Sequence, residues 1–119
     1  MSATGYVPAQ GDFIWVALDP RVGREQSGDR PALVLSQHDF SAVTGYVLIA
    51  PITSRVRGWP FEVLIPDGAA IAGAVLVDQT RSIDFAARRV RFVAAATAPV
   101  LAEALAKLAA ILSPAGAEA

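Results

Sequence analysis

The chain has no cysteine, so neither a disulfide framework nor a thiolate metal site is open to it. Its single histidine, His38, excludes a nuclease built on a histidine pair and any imidazole cluster for a metal. No apolar run approaches the roughly 20 residues of a membrane span, and the N-terminus lacks a basic-then-apolar signal pattern. Cytoplasmic residence, with no membrane partner, is the expectation. A net charge of −1 gives no global attraction to nucleic acid. Walker loop, dinucleotide fingerprint and nucleophile elbow are all missing. The carboxylates are scattered, and no pair has the spacing of a metal-ion nuclease. Neither a cofactor nor a metal is expected.

What is present is apolar and arginine-rich. At 119 residues the chain is read as one domain, 1–119, long enough to bury a core. With 54% hydrophobic residues and a mean hydropathy of +0.45, part of its apolar surface is expected to be covered by a partner or a second copy. All cations but Lys107 are arginines, and these lie between Arg21 and Arg91. A GC-rich coding background accounts for such a bias as well as a phosphate-binding groove does.

Residues 1–10 read as a partly ordered leader. Strands are expected at Gly11–Leu18, Pro31–Gln37, Tyr46–Ile52, Phe61–Ile65 and Ala74–Gln79, with Arg81–Asp84 continuing the last past a kink. Arg89–Val93 alternates with period two, and His38–Thr44 reads as a helical turn before Gly45. One clear helix closes the chain over 97–113. Pro99 fits its first turn, and Leu101, Ala104, Leu105, Leu108, Ile111 and Leu112 form one stripe, core or interface. Short strands followed by one helix predict a mainly β fold, a strongly bent antiparallel sheet or partly open barrel with a C-terminal helix.

Chemistry concentrates in two polar loops, each at the end of a buried strand. The first, GREQSGDRPALVLS from Gly23, presents Glu25, Gln26 and Arg30. Pro31 fixes its own φ and pushes Arg30 into an extended conformation, so the guanidinium stands at a strand mouth with little backbone freedom. The second supplies Thr53, Ser54, Arg55 and Arg57, then Trp59. An arginine, a hydroxyl and an acid brought together can bind a phosphodiester and stabilise charge at phosphorus without a metal. Trp59 suits stacking on a base or packing at a dimer rim. Asp78 and Gln79 suit reading base edges or satisfying buried backbone. Trp15 reads as core.

These stretches carry a resemblance. GDFIWVALDP from Gly11, the first loop, APITS from Ala50, GWPFEV from Gly58 and VDQTRSID from Val77 occur in the order of the MazF/PemK toxin endoribonucleases of bacterial type II toxin–antitoxin systems. The helix after Ala98-Pro99 fits as well. The Arg-Pro loop and the Asp-Gln strand together are the specific part, whereas PFEV alone is weak. An alanine-rich turn at Gly68–Gly73 and a helix poor in charge depart from the pattern.

The resemblance implies an SH3-like small barrel (PemK/CcdB-like) that forms a homodimer. It implies metal-independent, sequence-selective cleavage of single-stranded RNA, leaving 2′,3′-cyclic phosphate and 5′-hydroxyl ends, and neutralisation by a cognate antitoxin; DNA is not expected as substrate. Carried over residue by residue, it makes Arg30 and Thr53 catalytic and Glu25 an acid associated with activity. Arg21, Arg24, Gln26, Ser54, Arg55, Arg57, Trp59, Gln79 and Arg81 are then the expected RNA contacts. Two other functions are compatible with the fold: a toxin that binds and inhibits DNA gyrase, and a non-catalytic SH3-like binding module. The first relies on a terminal aromatic residue that this aliphatic helix end lacks.

Overall fold

The computed structural model describes residues 5–18 and 28–116. Glu25, Gln26, Arg21 and Arg24 therefore lie outside the described residues. Seven antiparallel strands make one sheet: β1 (Asp12–Leu18), β2 (Gly28–Val34), β3 (Tyr46–Thr53), β4 (Glu62–Leu64), β5 (Ala74–Leu76), β6 (Arg81–Asp84) and β7 (Arg91–Ala95). Two helices join them, α1 (His38–Thr44) and α2 (Ala98–Leu112). The order is β4-β5-β3-β2-β1-β7, with β6 also on β3. This is the mainly β architecture with a terminal helix that the strand spacing predicts. The outer strands β4 and β7 are not paired with each other, so the sheet is bent but open.

Alternation in the strands divides the core between the two faces of the sheet. Phe13, Leu33, Ala50, Ile52, Val63 and Val75 point to one face, where Val100 and Ala104 of α2 pack on them. Ile14, Val16, Ala32, Val34, Val47, Ile49 and Ile83 point to the other, beneath Tyr6, Phe85 and Val90. Each fully buried valine or isoleucine contributes about 1.5–3 kcal/mol, so both faces matter to stability. On α2 the stripe is buried at Ala104, joined by Val100 from outside the expected stripe, and surfaces at its end, where Leu112 is 69% exposed.

Several local expectations shift. The segment before β1 is docked from Tyr6 onward rather than loose. Pro8 is fully buried, the Gln10 amide donates to the Leu35 carbonyl, and the Tyr6 hydroxyl donates to Asp12. Burial, reinforced by that carboxylate, pushes the Tyr6 hydroxyl well above the ordinary tyrosine range. Trp15 is only partly buried, so it is not the core residue its strand suggests. The second strand begins earlier and ends at Val34, before a bend at Ser36. The last strand starts at Arg91, not Arg89. Asp84 accepts the Ala86 and Ala87 amides, and the turn it caps runs through Arg89 at φ 54°. His38–Thr44 is a full helix, stopped by Gly45 in the left-handed region at φ 79°.

The largest departure falls within Ala74–Gln79. β5 pairs Ile52 with Val75, and β6 pairs Ile49 with Arg81. Three steps along β3 thus correspond to six along its partner, so three extra residues leave the ladder as a 3₁₀ turn, Val77–Gln79. Pro51 lies in the stretch of β3 that this turn bridges. A proline cannot donate to a ladder, and a gap in the partner strand is where a sheet tolerates one.

Candidate active site

The β2–β3 register relates the strand ends that carry Arg30 and Thr53. Val34 opposes Ile49, Leu33 opposes Ala50, and Ala32 opposes Pro51. The pairing ends there; Arg30 and Thr53 lie one alternation beyond Ala32 and Pro51, so by strand parity both stand on the face of those two residues. Arg30 pairs with Val16, and Arg81 pairs with Ile49. Arg30, Thr53 and Arg81 therefore stand on the face of Val16 and Ile49, opposite the face that α2 covers.

The 3₁₀ excursion opens a cleft on this side. It has a volume of about 490 Å³ and is lined by Leu18, Pro51 and the run Asp78–Ser82. Gln79 and Arg81, both expected RNA contacts, lie in its wall, as do Asp78 and Thr80. Arg30 and Thr53 do not line it. They stand beyond its Pro51 edge, one alternation further along β2 and β3. Thr80 is fixed there by its hydroxyl and its amide, which both donate to the Val77 carbonyl at 2.7 and 3.1 Å.

Thr53 ends β3 half-buried, and its Oγ1 accepts the Arg55 amide at 3.1 Å. A hydroxyl has two acceptor lone pairs and one hydrogen, so this contact orients the side chain while leaving the hydrogen to donate. Behind it, Gly73 has φ 124°, and a Cβ there would overlap the Thr53 carbonyl oxygen and lie 2.9 Å from its carbonyl carbon. Only glycine lets β5 approach the end of β3 this closely.

Ser54, Arg55, Arg57 and Trp59 belong to the exposed loop between β3 and β4. The Arg57 guanidinium lies over the Trp59 ring, 5.0 Å from its centroid, within cation–π range. Trp59 keeps 47% of its surface exposed, enough to present a ring to a ligand.

One residue that organises this loop escapes sequence reasoning. Glu62 is only 7% exposed, and its Oε1 accepts the amides of Arg57 at 3.0 Å and Gly58 at 2.9 Å. The sequence held no signal for it, since its partners are backbone amides; only the structure shows the acid buried while Leu64 of the same strand is 63% exposed. Among the described residues no group of three or more His, Asp or Glu is placed to hold a metal ion, and no helix is long and apolar enough to cross a membrane.

Comparison with known proteins gives a consistent result. The PemK-like, MazF-like toxin family of type II toxin–antitoxin systems matches residues 9–112. The chain is 47% identical over 83 residues to the endoribonuclease toxin MazF of Escherichia coli K12, covering 70% of this chain and 74% of that protein. It superposes on the crystal structure of MazF from Deinococcus radiodurans with a TM-score of 0.85 at 46% identity, over 90% of this chain and 97% of that one. MazF in a MazE–MazF crystal structure from the same organism superposes with a TM-score of 0.81 at 46% identity, over 90% and 96% of the two chains.

Proposed function

The chain belongs to the PemK-like, MazF-like toxins of type II toxin–antitoxin systems, and from that premise we propose that it is an endoribonuclease toxin cutting single-stranded RNA without a metal. The observation that supports the reading is the β2–β3 pairing, which ends at Ala32 opposite Pro51, with Arg30 and Thr53 the next residues on that face of each strand and Pro51 in the wall of a cleft. The endoribonuclease relatives support the activity.

The nucleophile is the substrate's own 2′-hydroxyl. Its oxygen attacks the adjacent phosphorus, the bond from phosphorus to the 5′-oxygen breaks, and a 2′,3′-cyclic phosphate and a 5′-hydroxyl result. The 2′ proton passes to a base and the departing 5′-oxygen gains one. The protein's task is to align the attack and stabilise a crowded, doubly charged phosphorane. Arg30 donates two hydrogen bonds to phosphoryl oxygens, and Thr53 donates a third through the hydrogen left over from its Arg55 contact. A guanidinium stays protonated at neutral pH and is a poor base, so Arg30 acts as an electrostatic clamp and proton donor. Glu25 is the candidate base, provided that its carboxylate reaches the 2′-hydroxyl directly or through one water.

Bases flanking the scissile phosphate occupy the cleft along Gln79 and Arg81 and the loop bearing Ser54, Arg55, Arg57 and Trp59; Arg21, Arg24 and Gln26 complete the contacts. A homodimer accounts for the exposed Phe61, Leu64, Ile111 and Leu112. A cognate antitoxin neutralises the toxin, as the MazE–MazF complexes of similar chains suggest. Incubation of the pure protein with a long defined transcript in excess EDTA tests the reading. Cleavage is expected to persist, and to stop at a site whose 2′-hydroxyl is replaced by hydrogen. Intact RNA, or cleavage of the deoxy-substituted site, would overturn it.

A further inference from the structure

Glu62 has no part in the chemistry above, yet it is an acid held almost entirely out of water in a three-residue strand. A buried carboxylate persists only where it is well hydrogen-bonded. Its Oε1 takes both the Arg57 and Gly58 amides, two adjacent N–H groups of one exposed loop. Its own amide donates to the Trp59 carbonyl at 3.0 Å, closing the loop back onto the strand. From the other side of the sheet, Lys107 of α2 donates to the Glu62 carbonyl at 2.7 Å while pairing with Glu103 at 3.0 Å.

The direction of this grip matters. Glu62 pairs across the ladder with Leu76, and Leu64 with Ala74, which in turn opposes Thr53. Glu62 therefore points to the same face as Thr53, and the backbone it captures is folded over that face. The loop is pinned at both ends, by Thr53 Oγ1 on the Arg55 amide and by Glu62 on the Arg57 and Gly58 amides. The Arg57–Trp59 stack is built on this pinned segment.

Resting on the nuclease reading above, we propose that Glu62 is a positioning residue: through the Arg57 and Gly58 amides it fixes the Arg57–Trp59 stack as a platform on which one nucleobase of the RNA docks beside Thr53. Base stacking on an aromatic ring tolerates any sequence, because every base has a π-face. The platform accordingly governs how tightly RNA is held, and the phosphate clamp governs how fast it is cut.

Two measurements separate this role from a merely structural one. The first is binding of a short mixed-sequence 2′-O-methyl RNA, which has no free hydroxyl to react. Glu62→Ala is expected to weaken binding about tenfold, matching Trp59→Ala, and the double variant to bind no worse than Trp59→Ala alone. Glu62→Gln keeps an acceptor oxygen and is expected to recover most of the affinity. The second is cleavage of a transcript, where Glu62→Ala raises the half-saturating RNA concentration but changes the saturated rate less than about threefold. Should Glu62→Ala not fold, Glu62→Gln and Glu62→Asp carry the same comparison, since a shortened acid cannot reach both amides.

Wild-type affinity in folded Glu62→Ala or Glu62→Asp, or additive losses in the double variant, would overturn the proposal. So would a loss confined to the saturated rate. The nuclease reading fails separately: a protein that binds the methylated RNA through Trp59 and Glu62 but leaves the transcript intact keeps the platform and loses the chemistry.

Discussion

Gly73→Ala is the substitution whose outcome the structure constrains most tightly. The added methyl would overlap the Thr53 carbonyl oxygen and sit 2.9 Å from its carbonyl carbon and 3.3 Å from Ser54 Cα. Neither neighbour is the end of a flexible side chain; both belong to the backbone that carries the Thr53 hydroxyl. Relief requires the end of β3 to move by about 1 Å to reach normal contact distance. A displacement of that size in a reacting group costs roughly a hundredfold in rate.

Stability falls as well. A non-glycine residue at φ 124° carries about 1–3 kcal/mol of backbone strain, and overpacking adds about 1–3 kcal/mol. For a domain of this size, roughly 4 °C per kcal/mol, Tm should drop by about 8–24 °C. Gly68→Ala is the control: it has φ 90° but nothing within 4 Å of the new methyl, so it carries strain without displacement. Melting curves and saturated cleavage rates, read well below both transitions, distinguish the two. Gly73→Ala should lose rate per folded molecule and Gly68→Ala should not. Equal rates in the two variants would refute the placement of Thr53 against β5.

Arg30→Lys is expected to lower the saturated rate at least a hundredfold with an unchanged melting curve, because an ammonium cannot reproduce two parallel donations; rapid-quench cleavage assays check this. Thr53→Val should cost about 10²–10³-fold in rate, the worth of one preorganised donor, whereas Thr53→Ser should retain most activity in the same assay. Tyr6 predicts an alkaline limb. Its hydroxyl titrates higher in the folded protein than the ordinary tyrosine value of about 10, so its contribution is complete below that pH and is lost as pH rises beyond it. Urea unfolding from neutral pH upward should show a loss of stability above pH ~10 that Tyr6→Phe reduces.

What the sequence disclosed depended on how local each determinant is. The strands of Asp12–Leu18 and Tyr46–Thr53 announce themselves as dense apolar runs, and α2 by its stripe and Pro99. The joint role of Arg30 and Thr53 followed from the resemblance; that strand parity puts both on one face of β2 and β3 is a feature neither loop contains alone. The 3₁₀ turn at Val77–Gln79 was illegible in Ala74–Gln79, whose apolar residues read as continuous strand. Its cause sits across the sheet at Pro51, more than twenty residues away. Glu62 looked like an ordinary strand acid because its partners, the amides of Arg57 and Gly58, are backbone and carry no side-chain signature. Trp15 shows the converse, since its apolar neighbours concealed that α2 does not extend over it.

The central claim is that one phosphate is gripped jointly from the tips of β2 and β3. A crystal structure of the protein with an RNA carrying 2′-deoxyribose at the scissile nucleotide tests it directly. The account predicts a single phosphate within about 3 Å of both the Arg30 guanidinium and the Thr53 hydroxyl, with a neighbouring base against Gln79 and Arg81. A bound strand whose scissile phosphate meets neither side chain would contradict it.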